Sequence, residues 1–182
     1  MTEYNLEDLK ILIVDDNSNV GSMVKTVLYS LAIKNITVVD NAGEAFRILK
    51  SAQIDIVICD WVMKPIDGPM FVKRVRQGKD SPNPHIPIIM LSGYADERRV
   101  LKSRELGVNE FLTKPFSAKS LYTRIKAVIE SDRKFIKTDT FFGPDRRRVT
   151  DKFYSKNERR VPEKQNEDKN SNADKIDAES EA

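Results

Sequence analysis

Five short runs rich in Ile and Val punctuate the first 113 residues: Ile11–Val14, Ile36–Val39, Ile54–Cys59, Ile86–Leu91 and Glu110–Thr113. They are near-continuously apolar instead of alternating. Strands covered on both faces of a parallel sheet read this way. Between them the apolar residues fall at helical spacing. Val20, Val24, Val27, Leu28 and Leu31 form one stripe, behind Ser18 or Asn19 as N-caps. Ala42, Ala45, Phe46 and Leu49 form a second, Phe71, Val72 and Val75 a third, and Leu121, Ile125, Val128 and Ile129 the last. Asp96–Leu106 has helical propensity but a weak apolar stripe. Such alternation predicts an α/β fold with a doubly wound parallel sheet, whose ligands gather at the carboxyl ends of the strands.

Composition narrows the chemistry. The 182 residues carry one Cys (Cys59) and one His (His85). That excludes an internal disulfide, a cysteine-rich zinc site and a multi-histidine metal site. The seven glycines form neither G-x-G-x-x-G nor a P-loop. No apolar run approaches the roughly 20 residues needed to span a bilayer. The polar start, Met1 to Lys10, has no signal-peptide pattern, so a cytoplasmic protein with no membrane contact is expected. Cys59 and His85 read as structural, the first buried in the third strand and the second solvated in a Pro-rich loop.

The strand ends carry the reactive groups. The first run closes on Asp15 and Asp16, the third on Asp60, the fourth on Ser92-Gly93 and the fifth on Lys114-Pro115. With all strands parallel, three carboxylates, a hydroxyl and an ammonium share one edge. Carboxylates so close repel and call for a cation, and hard oxygen donors that leave water in the shell suit Mg²⁺. A metal-loaded carboxylate cluster beside a lysine suits phosphoryl transfer, with an Asp as the nucleophile.

Four segments, in this order and spacing, resemble the receiver domain of two-component response regulators, including its stand-alone chemotaxis members. They are Asp15-Asp16, Ile56 to Gly68 around Asp60, Leu91-Ser92-Gly93, and Phe111 to Phe116 around Lys114-Pro115. The resemblance covers residues 8–131. It implies a flavodoxin-like (βα)₅ fold with strand order 2-1-3-4-5. It also implies that Asp60 is phosphorylated by a histidine kinase or histidine phosphotransfer protein. Asp15, Asp16, Asp60 and the Val62 carbonyl would hold Mg²⁺. Lys114 and Ser92 would contact the phosphoryl group, Ser92 and Phe111 would form the switch, and Lys114-Pro115 would be cis. The protein would then be a bacterial signalling phosphoacceptor that catalyses its own phosphorylation and not a conventional enzyme. Trp61 would stand exposed beside the site.

Alternatives stay open. A phosphatase of the haloacid dehalogenase type shares the strand-terminal Asp, but it needs a carboxylate two residues on, where this chain has Val62. A degenerate receiver would serve only as a docking scaffold, against which the complete Asp15, Asp16, Asp60, Ser92, Lys114 set argues. Beyond Ser131 the chain reads as too short and too polar for a DNA-binding output domain, leaving only a basic arm for nonspecific nucleic-acid contact.

The segment 132–160 is basic and contains Phe141-Phe142-Gly143-Pro144-Asp145-Arg146-Arg147-Arg148. From Arg133 to Arg160 basic residues outnumber acidic ones 10 to 4, and from Val161 to Ala182 the balance is 3 to 7. The acidic end, 161–182, is too polar to bury a core and is expected to be disordered. Two adjacent phenylalanines, by contrast, favour burial. They are expected to fold back as a docking element, with the receiver face formed by the helical segment Asp96–Leu106, the run Glu110–Thr113 and the last helical segment, Leu121–Ile129, as the surface.

Overall fold

The computed structural model describes residues 5–94 and 96–146. The expected acidic tail 161–182, and the part of the basic extension beyond Arg146, lie outside the described residues.

Twelve elements follow in chain order: β1 (Lys10–Val14), α1 (Ser18–Ser30), β2 (Asn35–Val39), α2 (Ala42–Ser51), β3 (Ile56–Asp60), α3 (Gly68–Gln77), β4 (Ile88–Ser92), α4 (Glu97–Glu105), β5 (Glu110–Thr113), α5 (Ala118–Ile129), β6 (Phe135–Lys137) and β7 (Phe142–Pro144). β1 to β5 form one parallel sheet in the order β2-β1-β3-β4-β5. This is the flavodoxin-like, doubly wound arrangement expected. Ile11, Ile13, Ile58 and Leu91 point to one face and meet Val24 and Leu28 of α1 and Leu121 and Ile125 of α5. Leu12, Val14, Val57 and Met90 point to the other and meet Phe46 of α2 and Phe71 and Val72 of α3. Burial on both faces explains why the central strands β1, β3 and β4 carry no alternation.

The strand boundaries differ slightly from expectation, for local reasons. β3 starts after Asp55, whose carboxylate accepts from the Lys10 N–H at 2.9 Å. β4 starts after Pro87, which has no N–H to give a ladder. Each then runs one residue further, to Asp60 and to Ser92.

Every helix among the described residues is capped by a polar side chain. The cap of α1 is Asn17, not Ser18 or Asn19: its Oδ1 accepts from the N–H groups of Asn19 and Val20. Asn41, Asp67 and Asp96 cap α2, α3 and α4, and Ser117 and Ser120 cap α5 reciprocally. In α4 only Ser103 is buried, the structural form of its weak apolar stripe. Its end is closed by Gly107 at φ +85°, a conformation that favours glycine.

The chain stays ordered past α5. β6 and β7 pair antiparallel, with Ile136 opposite Gly143. The hairpin folds back on the receiver. Gln77 at the end of α3 donates to the Thr140 carbonyl at 3.2 Å. Gly107 sits so close that a Cβ there would lie 2.5 Å from the Phe142 carbonyl oxygen. Phe141 is buried, with the Arg146 guanidinium 3.9 Å above its ring. Phe142 is half-buried, and together with Phe135 it brackets His85 at 4.9 Å ring separations. His85 is thus exposed, as expected, yet held between two aromatic rings. The phenylalanines do fold back, but beside α3 and the α4–β5 turn and not on the α4-β5-α5 face. Arg133 and the residues from Pro144 to Arg146 do reach that face. There, a cleft of about 260 Å³ has Arg104, Phe111 and Arg124 on one side and Arg133, Pro144 and Arg146 on the other.

Candidate functional site

The parallel sheet delivers its strand ends to one edge, as the register shows. Asp15 follows β1, and its N–H donates to the Val39 carbonyl. Asp60 closes β3 opposite Leu91, and Ser92 closes β4 opposite Thr113. Lys114 follows β5, with its N–H on the Ser92 carbonyl at 2.7 Å. The Lys114–Pro115 peptide is cis, as expected, and so is Lys64–Pro65. Gly68 lets α3 begin directly against β3: a Cβ there would clash with the Asp60 carbonyl oxygen.

At the centre lies the Lys114 ammonium. Its Nζ is 2.8 Å from Asp60 Oδ1 and 2.8 Å from Asp15 Oδ2. The Val62 N–H donates to Asp60 Oδ2 at 3.0 Å. The Asn17 N–H donates to Asp15 Oδ1 at 2.9 Å, and the Lys64 N–H to Asp16 Oδ2 at 3.1 Å. Asp15 and Asp60 are buried and Asp16 is exposed, and one oxygen of each lies within 4.8 Å of the others. Backbone amides and one ammonium thus orient three carboxylates around a common point.

The charges do not balance: three carboxylates face one ammonium. Burial pushes the Asp60 carboxyl up; Lys114 opposes this, Asp15 reinforces it and the Val62 N–H opposes it. For Lys114, burial works against the charged form, but the hydrogen bonds and charges of Asp15 and Asp60 outweigh it and hold the ammonium above its ordinary value. The cluster therefore favours a cation, and its donors are all oxygens. Cys59, wholly buried behind Asp60, has its thiol pushed well up by burial and is chemically quiet.

Around this core, Ser92 is wholly buried. Phe111 is half-buried and edge-on to Trp61, with ring centroids 6.2 Å apart. That contact makes Trp61 half-buried rather than exposed. Val62 and Tyr94 are 56% and 64% exposed. Two residues went unnoticed in the sequence. Arg99 of α4 donates to the Ser92 hydroxyl oxygen at 3.3 Å, and no sequence signal marks it. Arg76 is 3% exposed and donates to the carbonyls of Gly107 and Pro84 and to Asn109 Oδ1. Burial pulls its guanidinium down to about 9. Its position, four residues after Val72 on the buried stripe, was the available signal.

A flavodoxin-like sheet with an acidic, lysine-bearing pocket at its carboxyl edge defines the receiver class of signalling domain. The response regulator receiver domain family model matches residues 11–126. The chain is 32% identical over 124 residues to the chemotaxis protein CheY-3 of Vibrio cholerae, covering 68% of this chain and 94% of that protein. It is 31% identical over 122 residues to the chemotaxis protein CheY of Pseudomonas aeruginosa, covering 67% of this chain and 97% of that one. Among solved structures, a putative response regulator from Chloroflexus aurantiacus superposes with a TM-score of 0.62 at 31% identity, covering 68% of this chain and 98% of that one. The chain belongs to the response regulator receiver family, which serves two-component signalling and not classical enzymatic turnover.

Proposed function

We propose that this protein is a bacterial, cytoplasmic response regulator that accepts a phosphoryl group on Asp60 and thereby switches the binding of a partner protein. The observation that carries this reading is the Lys114 ammonium, 2.8 Å from both Asp60 and Asp15. A lysine so placed can neutralise oxygens on an incoming phosphoryl group while leaving Asp60 as nucleophile. No described helix is long and apolar enough to cross a membrane.

The donor is a phosphohistidine on a histidine kinase or histidine phosphotransfer protein. An Asp60 carboxylate oxygen attacks phosphorus in line, the P–N bond breaks, and the imidazole nitrogen departs with the electron pair. An acyl phosphate remains on Asp60. Convergence of three hard carboxylates fits Mg²⁺, which Asp15, Asp16, Asp60 and the Val62 backbone carbonyl would hold. Bound there, the ion supplies charge stabilisation to the transferring oxygens. Asp15 also orients Lys114. Ser92 donates to the phosphoryl group, and Phe111, packed against Trp61, relays its arrival to the α4-β5-α5 face. The receiver proper spans 8–131. The extension 132–160 adds to the partner-binding surface, and 161–182 forms an acidic tail.

The test is direct. Incubation with acetyl phosphate and Mg²⁺ should add one phosphoryl group by intact mass. Asp60→Asn should take up none, and EDTA should prevent uptake by the native chain. Label on the Asn variant, or full label in EDTA, would overturn the reading.

A further inference from the structure

The Ser92 hydroxyl oxygen is engaged twice. The Tyr94 N–H donates to it at 3.2 Å and Nη1 of Arg99 at 3.3 Å. A serine oxygen has two acceptor positions, and both are filled. Its own proton must therefore point away from both donors. Buried at the end of β4, this hydroxyl is set as a hydrogen-bond donor.

Arg99 is itself fixed from several directions. It lies in the first turn of α4, where its N–H donates to the Asp96 cap at 2.8 Å. Its guanidinium is 3.3 Å from the Asp96 carboxylate, 4.5 Å over the Tyr94 ring and 5.7 Å over Trp61. The side chain is 28% exposed. A planar fork held by one ion pair and two aromatic faces loses little further freedom in reaching Ser92. Thus two cations serve the strand ends: Lys114 on the carboxylates and Arg99 on the hydroxyl.

We propose that Arg99 is a positioning residue of the phosphoryl switch, acting through Ser92: it holds the hydroxyl oxygen as an acceptor, so that the hydroxyl proton is presented to the phosphoryl group on Asp60. This rests on Asp60 being the phosphoacceptor. A hydrogen bond received from a cation polarises the O–H group and strengthens it as a donor. Ser92 can then donate to the phosphoryl group without releasing Arg99. The first turn of α4 thereby stays joined to the site as the hydroxyl moves, and Trp61 senses the change through the same guanidinium.

The test uses the full chain, acetyl phosphate and Mg²⁺, following labelling of Asp60 by intact mass and the Trp61 emission change that accompanies it. Arg99→Ala should slow labelling about three- to tenfold, the loss of one hydrogen bond to a buried oxygen, and should shrink the emission change. Arg99→Lys, which keeps a charged donor, should recover more than half of the rate. Ser92→Ala should show a similar loss, and the Ser92→Ala, Arg99→Ala double variant should be no slower than Ser92→Ala alone. A residue acting only on fold would add its loss to that of Ser92→Ala. Wild-type rates in Arg99→Ala, or additive losses in the double variant, overturn the proposal while leaving the phosphoacceptor reading intact. Failure of the wild-type chain to label, or retained label in Asp60→Asn, overturns both. Should Arg99→Ala fail to fold, Arg99→Met in the same cycle decides the matter, since it keeps an unbranched stem of similar reach and removes every donor.

Discussion

Arg133 reaches back from beyond the last helix to Glu110, its Nη2 3.1 Å from the buried carboxylate. Arg124 of α5 holds the other oxygen of Glu110, also at 3.1 Å, and Arg133 gives a further hydrogen bond to the Asn109 carbonyl at 2.9 Å. The Glu110 side chain is 5% exposed, and a carboxylate so buried needs its partners. The extension is therefore fastened to β5 by charge, to α3 by the Gln77–Thr140 hydrogen bond and to His85 by aromatic packing.

Arg133→Ala should lower the unfolding free energy by about 1–3 kcal/mol, by leaving Glu110 one cation short. Urea denaturation at neutral pH measures it. Arg133→Lys should recover only part, because an ammonium cannot span Glu110 and the Asn109 carbonyl as the guanidinium fork does. An unchanged midpoint in Arg133→Ala would show the contact to be idle.

Metal-free Asp60 works against the fold at neutral pH. Its folded carboxyl is raised by burial, so the folded state holds the proton more tightly than the unfolded one. That contribution is favourable below the ordinary carboxyl range and is lost as pH rises through the folded value. In EDTA, Asp60→Asn should accordingly melt higher than wild type at neutral pH, with the gap closing on acidification. Excess Mg²⁺ should narrow or reverse the gap, since ion binding stabilises only the native site. Thermal melts across pH, with and without Mg²⁺, check all three signs.

Val62 lies two residues beyond Asp60 and Tyr94 two beyond Ser92; both are exposed, and neither side chain carries a carboxylate or an amide that could orient water. The acyl phosphate should persist long for a receiver. Val62→Asn should shorten its life severalfold by giving the attacking water a hydrogen-bonding partner. Decay of the labelled protein after removal of donor measures this; a longer life in the variant would contradict it.

Gly107→Ala should loosen the hairpin and leave the acidic pocket intact. The residue sits at φ +85° under the Phe142 carbonyl, so a methyl there meets strain of about 1–2 kcal/mol in addition to a clash. Hydrogen exchange should rise across 135–144 while acetyl phosphate labelling of Asp60 stays within twofold or so of wild type. Equal protection in the two proteins would mean that the close approach carries no weight.

The sheet was legible because its three central strands, β1, β3 and β4, are buried on both faces and carry the composition that burial demands, and the edge strands β2 and β5 are short runs of similar kind. The pocket was legible for the same reason: parallel strands carry whatever follows Val14, Cys59, Leu91 and Thr113 to one edge. The hairpin was not. Its strands have three residues each, too few for a period, and its anchors are a glycine with no room for a side chain, a charge pair and an aromatic bracket around His85. Arg99 escaped notice because its role comes from where α4 begins, and the weak stripe of α4 gave no hint of which face meets the site. Asn17 displaced Ser18 and Asn19 as cap through a difference of one or two residues that composition alone does not resolve.

The bond from Gln77 to Thr140 joins residues 63 apart in the chain. Every surface the hairpin rests on, the end of α3, the α4–β5 turn and Glu110, belongs to chain made before it. During synthesis the hairpin thus arrives at a finished seat, so its docking is a closing step and not part of the nucleus. Changes between Thr138 and Arg146 should then leave the rate of folding nearly untouched and speed unfolding instead, making this flank the place where the lifetime of the folded molecule is set separately from its assembly.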